Sequence, residues 1–94
     1  MRKRTDDNQR EIVLALRKAG YSVKVLSDVG DGCPDILVGA HGKNFLLEIK
    51  DGKKPPSQQS LTQCQEMFHL SWSGQVAIIR SIDDAFNIIR KYLR

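Results

Sequence analysis

The sequence has few of the residues that indicate a disulfide-stabilised or membrane-spanning protein. Its 94 residues include two cysteines and three prolines, and aromatic residues make up 6% of the chain. Two cysteines are too few for a disulfide framework, and Cys33 and Cys64 lack metal-ligand spacing, which favours a reducing compartment. No apolar run approaches the roughly 20 residues of a membrane span, and the basic start precedes too short an apolar stretch for a secretory signal. We therefore expect a cytoplasmic protein that does not bind membranes.

The composition is that of one small globular domain. Hydrophobic residues make up 40% and charged residues 28% of the sequence, which excludes a disordered chain. The length predicts a single domain spanning residues 1–94. The net charge of +4 favours anionic partners, although charge alone does not identify one.

Hydrophobic periodicity predicts helices and strands in the order αβββαβα. The last helix is introduced by a capping-box pattern, Ser81 with Asp84, and presents Ile82, Ala85, Phe86, Ile89 and Leu93 on one face. The other predicted helices span residues 6–19 and about 61–70, and the predicted strands span residues 21–27, 35–39, 44–50 and 75–80.

The connections predict a mixed sheet. Residues 41–44 are predicted to form a hairpin turn between two antiparallel strands, whereas the strand at 75–80 is reached through a helix. The fold class is therefore α/β, a mixed β-sheet flanked by helices.

The chemically informative segment combines three charged residues on neighbouring strands. Asp35 begins one strand, and Glu48 and Lys50 lie on one face near the end of the next. Pairing centred near residues 42–43 places Asp35 close to Lys50 and one or two rungs from Glu48. We therefore expect two carboxylates and a lysine to converge at one end of the sheet.

Two carboxylates with an open coordination sphere suit Mg²⁺, with Mn²⁺ as the alternative. The backbone carbonyl of Ile49, between the two side chains, offers a further oxygen ligand. Lys50 would offset charge on a bound phosphate. This combination meets the requirements of metal-assisted phosphodiester hydrolysis.

The pattern Pro34-Asp35…Glu48-Ile49-Lys50 resembles that of the PD-(D/E)XK nuclease superfamily. A helix that carries Glu11 precedes it, Gly32 opens a Gly-x-Pro-Asp turn, and Thr62-x-x-Gln65 follows in the second helix. Together these features resemble the VRR-Nuc family (virus-type replication-repair nucleases) in its stand-alone phage-like form, over roughly residues 6–80. The resemblance implies a restriction-endonuclease-like fold and a bacterial, phage or prophage context.

The resemblance also implies a role for each matching residue. Asp35 and Glu48 are implied as metal ligands, and Lys50 as the residue that positions or activates the water. Glu11 matches a helix-one acid that supports metal binding through water or a second ion. Gln65 matches a glutamine that contacts the site or the phosphate backbone. Candidate phosphate contacts are Lys43, Lys53, Lys54 and the N-terminal Arg2-Lys3-Arg4.

The implied activity is that of a Mg²⁺-dependent, structure-selective DNA endonuclease, similar to a Holliday-junction resolvase. Because one short chain has one site and a four-way junction needs two cuts, we expect a homodimer acting on branched DNA. The chain lacks the extra DNA-binding domains of larger eukaryotic members. The alternatives are a flap, single-strand or restriction-like nuclease, a non-catalytic nucleic-acid-binding module, and a protein-interaction domain with a coincidental motif.

Each candidate also has a structural interpretation. Glu11 suits the first turns of a helix because of the helix dipole, and Asp35 suits a turn. Gln65 completes a capping box with Thr62, an interpretation compatible with a site role. His69 and Trp72 are interpreted as packing or surface residues, with contact to nucleic acid or a second subunit as the alternative for Trp72.

Overall fold

The computed structural model describes residues 7–93, and its elements follow the predicted order, which confirms the α/β fold class. No helix among these residues is long and apolar enough to cross a bilayer. The elements are α1 (Asp7–Lys18), β1 (Ser22–Val25), β2 (Ile36–Ala40), β3 (Lys43–Ile49), a 3₁₀ turn (Pro56–Gln58), α2 (Gln63–Ser71), β4 (Val76–Ile79) and α3 (Ile82–Lys91).

The four strands form one mixed sheet in the order β1-β2-β3-β4. The first three strands pair antiparallel, and β4 pairs parallel with β3 after the connection through α2. Five consecutive residues of β3 are buried, from Phe45 to Ile49. This burial confirms β3 as a central strand, as its near-continuous hydrophobic sequence predicts.

The β2–β3 hairpin turns more tightly than the predicted four-residue connection. Lys43 and Asn44 belong to β3, which leaves His41 and Gly42 as the turn residues. Both have positive φ, 55° and 78°, as a two-residue type I′ hairpin turn requires. Because Ile36 pairs with Leu47, the register continues to place Asp35 opposite Glu48, so the expected pairing of Asp35 with Lys50 is wrong by two residues.

The hydrophobic core lies on one face of the sheet. α1 packs against α3 and β1, and α3 packs against β4. On β3, Phe45, Leu47 and Ile49 belong to this core, so alternation turns Glu48 and Lys50 toward the opposite face. None of the residues of α2 is buried, so this helix contributes nothing to the core.

The start of α3 departs from the predicted capping box. The Ser81 hydroxyl accepts a hydrogen bond from the Asp84 amide (3.1 Å), as predicted. The Asp84 carboxylate instead accepts from the Arg80 amide (2.9 Å), one residue before the N-cap. Ala85 and Ile89 are buried as predicted, whereas Ile82 and Leu93 remain substantially exposed because they lie at the helix ends.

Candidate active site

Asp35 is held in place at the entrance to β2. It follows the buried Pro34, and its carboxylate Oδ2 accepts a hydrogen bond from the Ile49 amide at 2.7 Å. Ile49 lies beyond the last β2–β3 residue pair. The Asp35 side chain therefore accepts the hydrogen bond that the backbone of a neighbouring strand would otherwise accept. The hairpin therefore delivers the aspartate to the end of β3, beside Glu48.

Glu48 is the most buried charged residue of the described chain, with 2% of its surface exposed. Its Oε2 accepts a hydrogen bond from Gln65 Nε2 (3.2 Å) and lies 3.6 Å from Lys50 Nζ. Its Oε1 is buried and has no hydrogen-bond partner. One carboxylate oxygen of Glu48 is therefore paired with neighbouring side chains, and the other is buried without a partner.

The environment of Glu48 disfavours its charge. Burial, reinforced by the negative charge of Asp35 and opposed by Lys50, raises the pKa of Glu48 from 4.5 to about 7. The negative charges of Glu48 and Asp35 repel each other, and a cation bound between them would reduce this repulsion.

Gln65 connects this acid pair to α2 and uses both ends of its amide. Its Oε1 accepts from Lys50 Nζ (3.2 Å) and from the Thr62 backbone amide (2.9 Å). The Thr62 hydroxyl in turn accepts a hydrogen bond from the backbone amide of Gln65, which completes the predicted capping box. One side chain therefore caps the helix and contacts both Glu48 and Lys50, so the two interpretations of Gln65 hold together.

The start of α2 is seated against the loop before β2. Gly32 has a φ of +77°, and a Cβ at this position would overlap the Cys64 carbonyl group. The glycine therefore serves both the turn and the close approach of α2. This contact brings Gln65 close enough to bond to the β3 side chains.

The donor set fits a hard divalent cation. Among residues 7–93 there is no cluster of three or more histidine, cysteine, aspartate or glutamate side chains. Mg²⁺ does not require one, because it binds proteins through one or two carboxylates and retains waters or substrate phosphate. The unpartnered Glu48 Oε1 beside Asp35 is an unsatisfied buried oxygen of the kind that an ion would explain. The carbonyl of Ile49 lies outside the β2–β3 ladder at the same point.

The other predicted site residues within residues 7–93 form no hydrogen bond or ion pair with Asp35 or Glu48. Glu11 is exposed on α1 and makes no hydrogen bond or ion pair with the described residues. Lys43 is at the hairpin end of β3, five residues or about 17 Å from Glu48 at ~3.4 Å per residue. Lys53 and Lys54 are exposed in the loop that directly follows β3, at the site end. The N-terminal basic residues 2–4 lie outside the described part of the chain.

Two further residues, Asn8 and His69, lie beside the site without having been predicted to do so. Asn8 on α1 donates to the carbonyls of Lys50 and Arg80 (both 3.3 Å) and ties the ends of β3 and β4 together. His69 has a buried Nε2 without a partner, and both burial and the Lys50 charge lower its pKa. The available signal for His69 was its spacing, four residues after Gln65 on the same helical face.

Cys33 adjoins the acids but does not have the properties of a nucleophile. Burial, then the charges of Glu48 and Asp35, raise the pKa of its thiol above 9.0. A thiol held in the protonated form is a weak nucleophile and metal ligand. This electrostatic setting disfavours the thiolate form of Cys33.

Comparison with solved structures identifies the class of fold. A chain described as a VRR_NUC domain superposes with a TM-score of 0.65 and 24% sequence identity, over 89% of this chain and 91% of the other. The protein therefore has the fold of a VRR_NUC domain. This fold is the one that the resemblance described in the sequence analysis implies. No family model matches the sequence, and no curated protein matches it at a significant level.

Proposed function

We propose that the protein is a metal-dependent DNA endonuclease of the VRR-Nuc type. The observation that carries the proposal is the buried, half-satisfied carboxylate of Glu48 beside Asp35, with Lys50 and Gln65 bonded around it. Paired acids in such a setting cost stability unless they bind a cation, which favours chemistry over a binding-only role. The shared VRR_NUC fold supports the same conclusion.

Asp35, Glu48 and the Ile49 carbonyl would hold Mg²⁺ or Mn²⁺, which when bound polarises a phosphodiester and lowers the pKa of water. Lys50 supplies a positive charge beside the acids, and Gln65 fixes the position of its ammonium group. Lys50 would stabilise negative charge that develops on a bound phosphate. Lys53 and Lys54 would contact neighbouring phosphates.

We further propose that the protein acts as a homodimer on branched DNA, in the manner of a Holliday-junction resolvase. Each chain has one candidate site, and two symmetric cuts require two. The outward face of α2 offers an apolar surface for such association, since Met67 is 61% and Leu70 is 80% exposed. Light scattering at several protein concentrations tests the dimer, with Leu70→Glu expected to weaken it.

Cleavage of a four-way junction with Mg²⁺, beside duplex, flap and single-stranded DNA, tests the activity. Asp35→Asn is the sharpest variant, because it removes the charge but keeps an oxygen to accept from the Ile49 amide. We expect it to lose about 100-fold or more of the activity while retaining the fold and DNA binding. Glu66→Gln, an exposed carboxylate on α2, is the matched control and should cut normally.

The outcomes separate the alternatives. Paired nicks in the junction support the resolvase-like activity, whereas cutting of flap or single-stranded DNA alone retains the nuclease and refutes the junction substrate. DNA binding without metal-dependent cutting of any substrate would refute the nuclease proposal and favour a binding module. Equal cutting by wild type and Asp35→Asn would remove Asp35 from the proposed site.

A further inference from the structure

The end of α2 carries a flat aromatic surface that the core does not use. The rings of Phe68 and Trp72 stack nearly parallel, with centroids 5.1 Å apart and an interplanar angle of 13°. Phe68 is half-buried, whereas Trp72 is 47% exposed. Phe68 therefore supports one face of the indole, and Gly74 lies against its edge, where a Cβ would come within 2.9 Å of Nε1. About half of the Trp72 surface therefore remains exposed beside this stack.

This surface continues from the candidate active site. Gln65, Phe68, His69 and Trp72 follow the i, i+3, i+4, i+7 spacing and share one face of α2. Gln65 bonds to Glu48 and Lys50, so the face begins at the reacting groups. At 1.5 Å per residue, Trp72 lies about 10 Å farther along the helix axis, or about three nucleotides at ~3.4 Å of rise each.

Charge and shape favour one occupant for this face. Lys50, Lys53 and Lys54 surround the same end of the sheet, and the chain as a whole carries +4. The phosphates of a nucleic-acid strand complement the lysines, and a base about three nucleotides away offers a flat aromatic ring to the indole. The outward apolar residues Met67 and Leu70 lie on the other side of the helix, so they leave the Trp72 face free when a second copy binds there.

Building on the proposed nuclease function, we propose that Trp72 is a stacking platform for one unpaired nucleobase about three nucleotides from the reacting phosphate. A base inside a duplex already stacks on both sides, so the indole would select DNA with an unpaired nucleotide beside the cut. The platform thus specifies structure rather than sequence, because every base has a π-face. It would give the site a preference for junctions, flaps or single strands.

Intrinsic fluorescence tests the proposal directly, because Trp72 is the one tryptophan of the sequence. Wild-type protein in EDTA, which prevents cutting, is titrated with a short thymidine oligonucleotide and with a duplex of equal length. We expect the single strand to quench the emission and the duplex to do so weakly. A deoxyribose-phosphate chain of the same length without bases should bind by its charge and leave the emission unchanged.

Variants extend the test to affinity. Trp72→Ala is expected to weaken single-strand binding about 5- to 100-fold, with Trp72→Phe in between, and to leave binding of the base-free chain unchanged. Equal weakening of single-strand and base-free-chain binding would indicate a folding defect and would overturn the proposal. Tyr92→Ala is the matched control, because Tyr92 is a 39% exposed aromatic residue that packs on Phe45, away from the site. It should bind both ligands normally.

Two results overturn the proposal on other grounds. If the emission changes with protein concentration alone and Trp72→Ala dissociates a dimer, a second copy covers the indole. If Trp72→Ala binds single strands as wild type does, the platform does not exist. The nuclease proposal fails separately, through absence of metal-dependent cleavage, and base-dependent quenching would survive that failure.

Discussion

Replacing Glu48 with glutamine is expected to stabilise the protein above neutral pH when no divalent metal is present. The pKa of Glu48 is raised from 4.5 to about 7, first by burial and then by the Asp35 charge. The native state therefore binds this proton more tightly than the unfolded state, and the free energy of unfolding falls as the pH rises between these two values. At ~1.4 kcal/mol per pKa unit, the penalty above pH 7 reaches about 3 kcal/mol.

Glu48→Gln does not titrate, and its amide can donate a hydrogen bond to the Asp35 carboxylate. Its stability relative to wild type should therefore rise by about 3 kcal/mol between about pH 4 and about pH 8. At 4–8 °C per kcal/mol, the melting temperatures of the two proteins should diverge by roughly 12–24 °C over this range. Thermal unfolding followed by circular dichroism in EDTA measures the effect.

Mg²⁺ adds an independent readout of the same site. A cation that binds the carboxylate competes with the proton, so it should stabilise the wild type above neutral pH and leave Glu48→Gln unchanged. Glu66→Gln repeats the substitution on the exposed side of α2 and should follow the wild-type curve. A constant difference in stability between Glu48→Gln and wild type across the pH range would refute the reasoning.

Three further expectations concern the surroundings of the site. Gln65→Ala removes the return bond of the α2 capping box and the bond to Lys50, so urea unfolding should show a loss of about 1–2 kcal/mol, and unchanged stability would contradict this. Gly32→Ala places a Cβ against the Cys64 carbonyl at a positive φ, so it should cost about 1–3 kcal/mol in the same assay, whereas a neutral result would mean that α2 moves aside without cost. Because burial raises the pKa of Cys33, iodoacetamide should alkylate it more slowly than the exposed Cys64, and the reverse order by mass spectrometry would refute this assignment.

Most of the fold follows from local patterns in the sequence. The stripe of Ile12 and Leu16 predicted α1, and the near-continuous apolar run of β3 predicted a strand with both faces covered. The predicted hairpin register differs from the observed one by two residues, because His41 and Gly42 form a two-residue turn in place of the predicted four-residue connection. A type I′ turn needs positive φ at both positions, which glycine signals and histidine does not.

The site was predictable where one strand pair builds it and less so where α2 contributes. Alternation along β3 placed Glu48 and Lys50 on one face, and the hairpin placed Asp35 beside them. The buried Nε2 of His69 depends on how α2 sits against the sheet, which no local pattern specifies. For Glu11 only the resemblance implied a site role. In the described chain its side chain is exposed and forms no hydrogen bond or ion pair.

The candidate site occupies the face of the sheet that no helix packs against tightly. α1 and α3 cover the other face and supply the core, whereas α2 has no buried residue and is attached through its capped start and Gln65. Elements with few buried apolar contacts open at low free-energy cost. Because Gln65 bonds to both Glu48 and Lys50, we expect the position of α2 to respond to the ionisation of Glu48.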